Sequence, residues 1–363
     1  MTELIIPNWL KEIPKTDLHC HMGGSIRLET ILELAQEQEI DIGVDNVDDL
    51  RKKVVYDEKV KAEKIRTRNL KSYLECFPLC ESVLASPAAF ERVAYEICED
   101  VSKENVNLLE LRFGPAKYVN ENMNINQVIQ STLNGLKRGS DEFGLRTGLI
   151  LCGNRRNIRE TEEAAQAAVN FRKKGVIGFD LAGEEKGHEP KKFEAFMKEV
   201  FESLIPVTIH AGEETKADYI RDSLIYLNAK RIGHGKSLQQ NDNLMEYMET
   251  FRLPLEICPT SNVDTGNVAS YQVHPARFYY DEHIRFSINT DNRTISNTTV
   301  TQEYAHLIQN LNFTQNEVCR IIRNGLKSAF ISGKEKEQRI YEFDKYLIEH
   351  EMPIDYNTDG KLD

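Results

Sequence analysis

The sequence predicts an α/β chain folded as a single (β/α)8 barrel, a TIM barrel. Three observations predict it. Eight short apolar, β-branched runs end in small or polar residues, helix-like stretches separate them, and the unusual polar residues collect at the C-terminal ends of the runs. Alternating strands and helices imply a parallel sheet, and strands that are apolar nearly throughout imply burial on both faces. An open doubly wound sheet is the rival. It would carry a Gly-rich phosphate turn after the first strand, and M-G-G-S at 22–25 is a poor match.

The first run, I-P-K-T-D-L-H-C-H (13–21), sets His19 and His21 two apart, so a strand points both imidazoles to one face. The next run begins only near residue 107. The gap reads as a helical insertion, 28–90, in which L-K-S-Y-L-E-C-F-P-L-C-E-S-V-L (70–84) is an amphipathic or buried segment. There follow N-L-L-E-L-R-F-G-P (107–115), T-G-L-I-L-C-G-N (147–154), V-I-G-F-D-L-A-G-E-E (176–185) and P-V-T-I-H-A-G-E (206–213). The last three are R-I-G-H-G (231–235), L-P-L-E-I-C-P-T-S-N (253–262) and I-R-F-S-I-N-T-D-N (284–292). Helical patterns lie between them, as at 158–174, 190–204 and 217–230. Beyond Thr314 the chain is helical and charged, expected to close the barrel from outside. The whole of 1–363 is thus expected to form one domain.

Composition is compatible with this. A chain of 363 residues, 40% hydrophobic and 29% charged, has the make-up of a soluble globular protein with a large core. The net charge of -12 argues against a nucleic-acid partner and against docking on anionic membranes. No apolar run approaches a membrane span, and the first ten residues show no secretory leader pattern. Seven scattered cysteines, an odd number, read as free thiols of a reducing compartment, so a cytoplasmic location is expected. Oligomeric state is not legible.

At the strand ends stand His19 and His21, Gly183 to Glu185, His210 and Glu213, His234, and Asp291. In a barrel of this kind that face carries the chemistry, because its loops converge on one mouth. One strand-end histidine would be an ordinary core residue. Four of the nine histidines, with acids among them, point to a metal. His19, His21 and His210 can supply three nitrogens and Asp291 a hard oxygen, leaving one position for water. That mixed N/O set suits one Zn2+ per chain, which lowers the pKa of bound water to roughly 7. Glu213 sits three residues past His210, in the turn, where it can face a substrate; the plain alternative is an acid at a helix start. His234, between two glycines, can take a proton from the water or hold it in line. His188, His274, His283, His306 and His350 lie in helices or loops and receive no role.

Six motifs in order are familiar: H-C-H at 19–21, D-L-A-G-E-E at 180–185, I-H-A-G-E at 209–213, R-I-G-H-G at 231–235, E-I-C-P-T-S-N at 256–262 and S-I-N-T-D-N at 287–292. Together they resemble the adenosine deaminase family, within the metal-dependent amidohydrolases, over the length of the barrel. The resemblance implies zinc-dependent hydrolytic deamination of a purine nucleoside, adenosine or 2′-deoxyadenosine, to the 6-oxo product and ammonia. It makes His19, His21, His210 and Asp291 the zinc ligands, Glu213 the acid that protonates purine N1, and His234 the group that orients or deprotonates the water. It also makes the Gly183 N–H a donor to purine N3 and the 28–90 insertion a helical gate. The other zinc-deaminase pattern, H-x-E with P-C-x-x-C, is absent.

Two departures bear on substrate choice. Family members often carry an acid at the position of Gly23, meeting the sugar 5′ side; Gly23 is expected to open space there. Asn292 stands where a second Asp is common, and an amide donates permanently to an acceptor such as purine N7. A deaminase of a 5′-modified or phosphorylated adenosine (5′-deoxyadenosine, aminodeoxyfutalosine or N6-methyl-AMP type) is therefore the first alternative. A non-catalytic zinc- or nucleoside-binding barrel is the second, and would require a missing reactive residue. Arg155 and Arg156 at the third strand end suit either a phosphate or rim ion pairs, and D-Y-N-T-D-G at 355–360 reads as a turn rather than a calcium loop.

Overall fold

The structure, a computed structural model, describes residues 3–353, so the D-Y-N-T-D-G stretch lies outside the described residues. All eight expected strands are present. They are β1 (Lys15–His21), β2 (Val106–Phe113), β3 (Arg146–Asn154), β4 (Val176–Ala182), β5 (Val207–Ala211), β6 (Arg231–His234), β7 (Leu255–Ile257) and β8 (Phe286–Ile288). They lie in sequence order in one sheet of parallel pairs. The sheet closes just beyond β8. Asp291 N–H donates to His19 O (2.8 Å) and His21 N–H to Asp291 O (2.6 Å), while the Asn289 carboxamide oxygen takes the Leu18 N–H (2.9 Å). The bonds that shut the barrel therefore run through the residues singled out as metal ligands.

Helices cover the outside, and their ends follow local chemistry. Asn157 caps the helix Ile158–Phe171 by accepting the Glu160 N–H. The expected 217–230 helix stops at Leu227 because Asn228 turns left-handed at φ 50°. The 190–204 stretch divides into a 3₁₀ turn, Pro190–Phe193, and a helix, Glu194–Glu202. The 70–84 segment is two short helices, Leu70–Leu74 and Phe77–Ser82. Proline explains the break: Pro78 has no N–H and its ring clashes with the preceding turn, so it fits only a helix's first turn. All seven cysteines are buried and free, and no helix among the described residues is long and apolar enough to cross a membrane.

The barrel interior is charged as well as apolar. Glu110 and Arg112 on β2, Asp180 on β4, Arg231 on β6 and Glu256 on β7 are all buried and joined to one another. Outside the closing seam, the helix Gln315–Ser328 presses Gly325 onto Thr16 of β1, with Ser287 of β8 at 3.7 Å from where a Cβ would stand. Even a methyl group there meets the Thr16 hydroxyl. Gly325→Ala is expected to lower stability by about 1–2 kcal/mol net, the steric cost exceeding the helix-propensity gain. Urea unfolding of the two proteins checks this, and an unchanged midpoint would show that the helix does not bear on the seam.

Candidate active site

Four side chains converge at the C-terminal mouth. His19 and His21 end β1, His210 lies in β5, and Asp291 follows β8; one donor atom from each lies within 4.8 Å of the others. Nε2 of His21 is 3.2 Å from Nε2 of His19 and 3.2 Å from Nε2 of His210. Asp291 Oδ1 is 3.4 Å from Nε2 of both His19 and His21. The far nitrogens are committed. His19 Nδ1 faces Glu256 Oε2 at 2.8 Å and His210 Nδ1 faces Asp180 Oδ2 at 3.0 Å. A carboxylate opposite Nδ1 accepts a hydrogen bond from that N–H, which fixes the tautomer and leaves the Nε2 lone pair aimed inward. Lone pairs converging on one point repel unless a cation stands among them, so the donor set fits a metal ion.

Electrostatics agree with ligation. Burial lowers His19, and lowers His21 well below the usual imidazole range, which favours the neutral, ligating form. For His210 burial acts the same way but the Asp180 carboxylate outweighs it, and the net shift is upward. Asp291 lies well below the usual carboxylate range: burial opposes its charge, and the adjacent His19 and His21 overcome that. Its second oxygen accepts the Ser261 hydroxyl at 2.6 Å. Asp291 and His234 both hold left-handed backbone at φ 60°, a conformation that costs a non-glycine residue energy and collects at functional sites.

Glu213 stands in the turn after β5, buried and facing the same cavity. The turn is shaped by Glu185, whose carboxylate accepts the N–H groups of Gly212 (3.0 Å) and Glu213 (2.9 Å). Gly212 turns at φ 69° with Ser237 and Ile220 against it, leaving no room for a side chain. Burial raises the Glu213 carboxyl, partly offset by His234, whose Nε2 is 3.6 Å from Glu213 Oε2.

The proton on His234 can be placed from a chain of bonds. The Ala276 N–H donates to His274 Nδ1 (3.1 Å), and burial pushes His274 down to about 3, so it is neutral and carries its proton on Nε2. That proton goes to Asn262 Oδ1 (3.2 Å), and the Asn262 amide nitrogen then donates to His234 Nδ1 (3.1 Å). Accepting at Nδ1, His234 consequently presents an Nε2–H donor to the cavity. Between the two expected roles, holding the water in line fits this tautomer, and taking its proton at Nε2 does not.

The cavity above these groups has a volume of about 390 Å³. Gly183 (φ 94°) and Asn292 line it, and Leu70, Tyr73 and Phe77 of the insertion form its roof. Asn292 is buried against Gly24, and its Oδ1 has no hydrogen-bond partner. Gly23 departs from expectation. The space beside it is filled: a Cβ on Gly23 would come within 2.6 Å of Glu81 Oε1 and 2.9 Å of Glu81 Cγ. Gly23 is thus the floor beneath Glu81, which itself lines the cavity. Glu81 accepts the Tyr118 hydroxyl (2.8 Å) and pairs with Lys117. Arg155 is buried and holds the carbonyls of His188 and His210, and Arg156 pairs with Glu184 at the rim.

Sequence reading gave no role to Asp180, Glu256, Asn262, His274 or Glu81. Three of them stand inside the quoted motifs, and their alternation with the ligands along the chain was the available signal. His274 and Glu81 lie outside every motif and are brought in only by folding.

The adenosine deaminase family profile matches residues 14–346. An adenosine deaminase of Clostridium perfringens is 34% identical over 330 residues, covering 91% of this chain and 97% of the relative. One from Shewanella halifaxensis is 35% identical over 327 residues, with 90% and 97% covered. Among solved structures, the N6-methyl-AMP deaminase of Arabidopsis thaliana superposes with a TM-score of 0.79 at 26% identity, over 94% of this chain and 99% of its own.

If Asp180 orients His210, Asp180→Asn weakens metal binding by about 10–100-fold, the usual effect of losing such a partner. Competition against a chromophoric chelator measures it. Undiminished affinity would show that the carboxylate serves only the interior ion network.

Proposed function

The chain belongs to the adenosine deaminase family, and from that premise we propose that it hydrolyses the 6-amino group of a purine nucleoside, adenosine or 2′-deoxyadenosine, releasing ammonia. The observation that carries this reading is the meeting of His19, His21, His210 and Asp291 beneath a cavity into which buried Glu213 also points. Three imidazoles and one carboxylate suit zinc, one ion per chain. When bound, zinc supplies Lewis acidity that makes water a nucleophile near neutral pH.

The protein's own groups divide the rest of the work. Glu213, raised by burial, is suited to deliver a proton to purine N1, so that the electron pair displaced by water adding at C6 comes to rest on N1. His234 holds the attacking oxygen through its Nε2–H. The two protons of the added water complete the balance, one restoring the Glu213 carboxyl and one leaving with the amino group as ammonia, so that the 6-oxo purine remains. Gly183 and Asn292 line the cavity, and we assign the Gly183 N–H to purine N3 and the Asn292 amide to N7.

At the sugar end we assign Glu81 the place expected for an acid at position 23, now supplied by the helix Phe77–Ser82. Lys117 and Arg156, the cavity's two cations, are each held by a carboxylate, Glu81 and Glu184. A 5′-phosphate would have to break those pairs and face Glu81, whereas a neutral 5′-hydroxyl can donate to Glu81. The geometry therefore favours the nucleoside over 5′-phosphorylated substrates.

Purified protein is expected to hold about one zinc per chain and to lose turnover on chelation, with Glu213→Gln keeping the metal but losing at least ~10²-fold in kcat on adenosine. Metal analysis and steady-state rates decide it; full activity in zinc-free protein, or a Glu213→Gln enzyme as fast as the parent, would refute the assignment. For the sugar end, Glu81→Ala is expected to cost a few-fold to about tenfold in kcat/KM on adenosine and to leave 5′-deoxyadenosine nearly unchanged. Equal losses on both would show that Glu81 does not meet the 5′ group.

A further inference from the structure

A second cavity, of about 520 Å³, opens at the opposite end of the barrel, where β4 to β8 begin. Its walls carry Arg172, Lys230, Arg252, Arg285, Lys327 and Lys336, and no Asp or Glu. In a chain of net charge -12 such a cluster is not a sample of the general surface. Three of these side chains have the following local partners. Lys230 reaches the Asn228 carboxamide (2.6 Å), Lys336 the Lys327 carbonyl (2.8 Å), and Arg252 pairs with Glu249 (3.1 Å). Among the described residues neither Arg172 nor Arg285 has a carboxylate partner.

The floor is partly apolar. Val176, Pro254 and Phe330 form part of it. Beneath lies Arg231, stacked on the Phe330 ring at 3.6 Å and committed to Glu110 and Glu256. Arg285 is lowered by burial and by Arg252, and Lys336 by burial and then Arg231, with Glu110 opposing and Arg285 adding to the effect. Burial leads both shifts, and neighbouring cations add to it.

We infer that this cavity binds a free phosphoryl anion carrying two or more negative charges, of inorganic pyrophosphate or nucleoside polyphosphate type. Guanidinium forks match phosphoryl oxygens two at a time, and lysines supply point charge around them. A single carboxylate could not meet both Arg172 and Arg285, the two guanidinium groups without a carboxylate partner among the described residues, together with the lysines beside them. The site is concave, and the chain's overall negative charge opposes an anionic bilayer, so a soluble anion rather than a lipid headgroup is the occupant. The inference does not depend on the deaminase reading, because the cavity lies at the other end of the barrel.

Calorimetric titration of the zinc-loaded protein with pyrophosphate, at matched ionic strength, tests it. Saturable binding of one anion per chain is expected. Arg172→Ala/Arg285→Ala should weaken it at least tenfold, roughly the effect of losing a charge-assisted pair, whereas Lys137→Ala on a remote exposed helix should not change it. Should the double variant fail to fold, Arg252→Ala, exposed on the rim, gives the same comparison. Absence of saturable heat, or affinity unchanged by these rim substitutions, overturns the inference, the second because the anion would then sit elsewhere, as on the zinc. Retention on phosphatidylglycerol vesicles without pyrophosphate binding also overturns it, and would make the patch a membrane contact.

Discussion

The Glu256 carboxylate, buried in the middle of the barrel, is the constraint on which the rest of the site depends. It accepts Arg112 Nη2 (2.9 Å), Arg231 Nε (2.6 Å), Thr208 Oγ1 (2.8 Å) and His19 Nδ1 (2.8 Å). Burial opposes its charge, and the two arginines overcome this and hold it well below the usual carboxylate range. Arg112 reaches on to Asp180 (3.1 Å), the acid behind His210, so one guanidinium joins the carboxylates that orient two of the converging imidazoles. A buried ion network of this kind adds little net stability over an apolar core, yet breaking one partner out of it typically costs about 3–5 kcal/mol. Its value here is geometric. The rings at the mouth are aimed by residues whose own positions the folded core cannot relax.

Closure of the barrel and assembly of the site are one event. β8 ends at Ile288, and the three residues after it carry the chain back to β1, where the Asp291 main chain bonds both His19 and His21. Asp17, beneath them, accepts the Thr290 hydroxyl at 2.6 Å and steadies the same crossing. The left-handed backbone at Asp291 is tolerated because these pairings over-determine it. Loosening the seam would therefore also disperse the donors.

What the sequence made legible follows from periodicity. Strands that are apolar on both faces announce themselves, and residues at their ends share a mouth whatever their spacing, so His19, His210, His234 and Asp291 could be grouped without knowing any pairing. The broken helix at Pro78 was also within reach, since a proline's missing donor is a local fact. Glu256, Asp180 and Arg112 were not. An inward-pointing charge on a strand has meaning only through its partner, and Glu256 meets His19 across 237 residues of sequence. The His274–Asn262–His234 chain escaped for the same reason: nothing in a helix-start histidine tells which amide it will hold.

Gly23 shows how such hidden pairing alters an inference. Read alone, a glycine beside the metal ligands means an absent side chain and an open space. In the fold it is the surface on which the Glu81 side chain rests, and Glu81 is fastened to Tyr118 and Lys117 beyond β2. The two positions are consequently one unit. A carboxylate on residue 23 would stand where Glu81 already stands, so like charges would share the pocket in addition to clashing. An acid can return to position 23 only if residue 81 gives way, which makes the effects of substitutions at the two sites non-additive. The acid at this wall of the cavity stands on a short helix of the insertion, and the glycine beneath it leaves the space that its side chain fills.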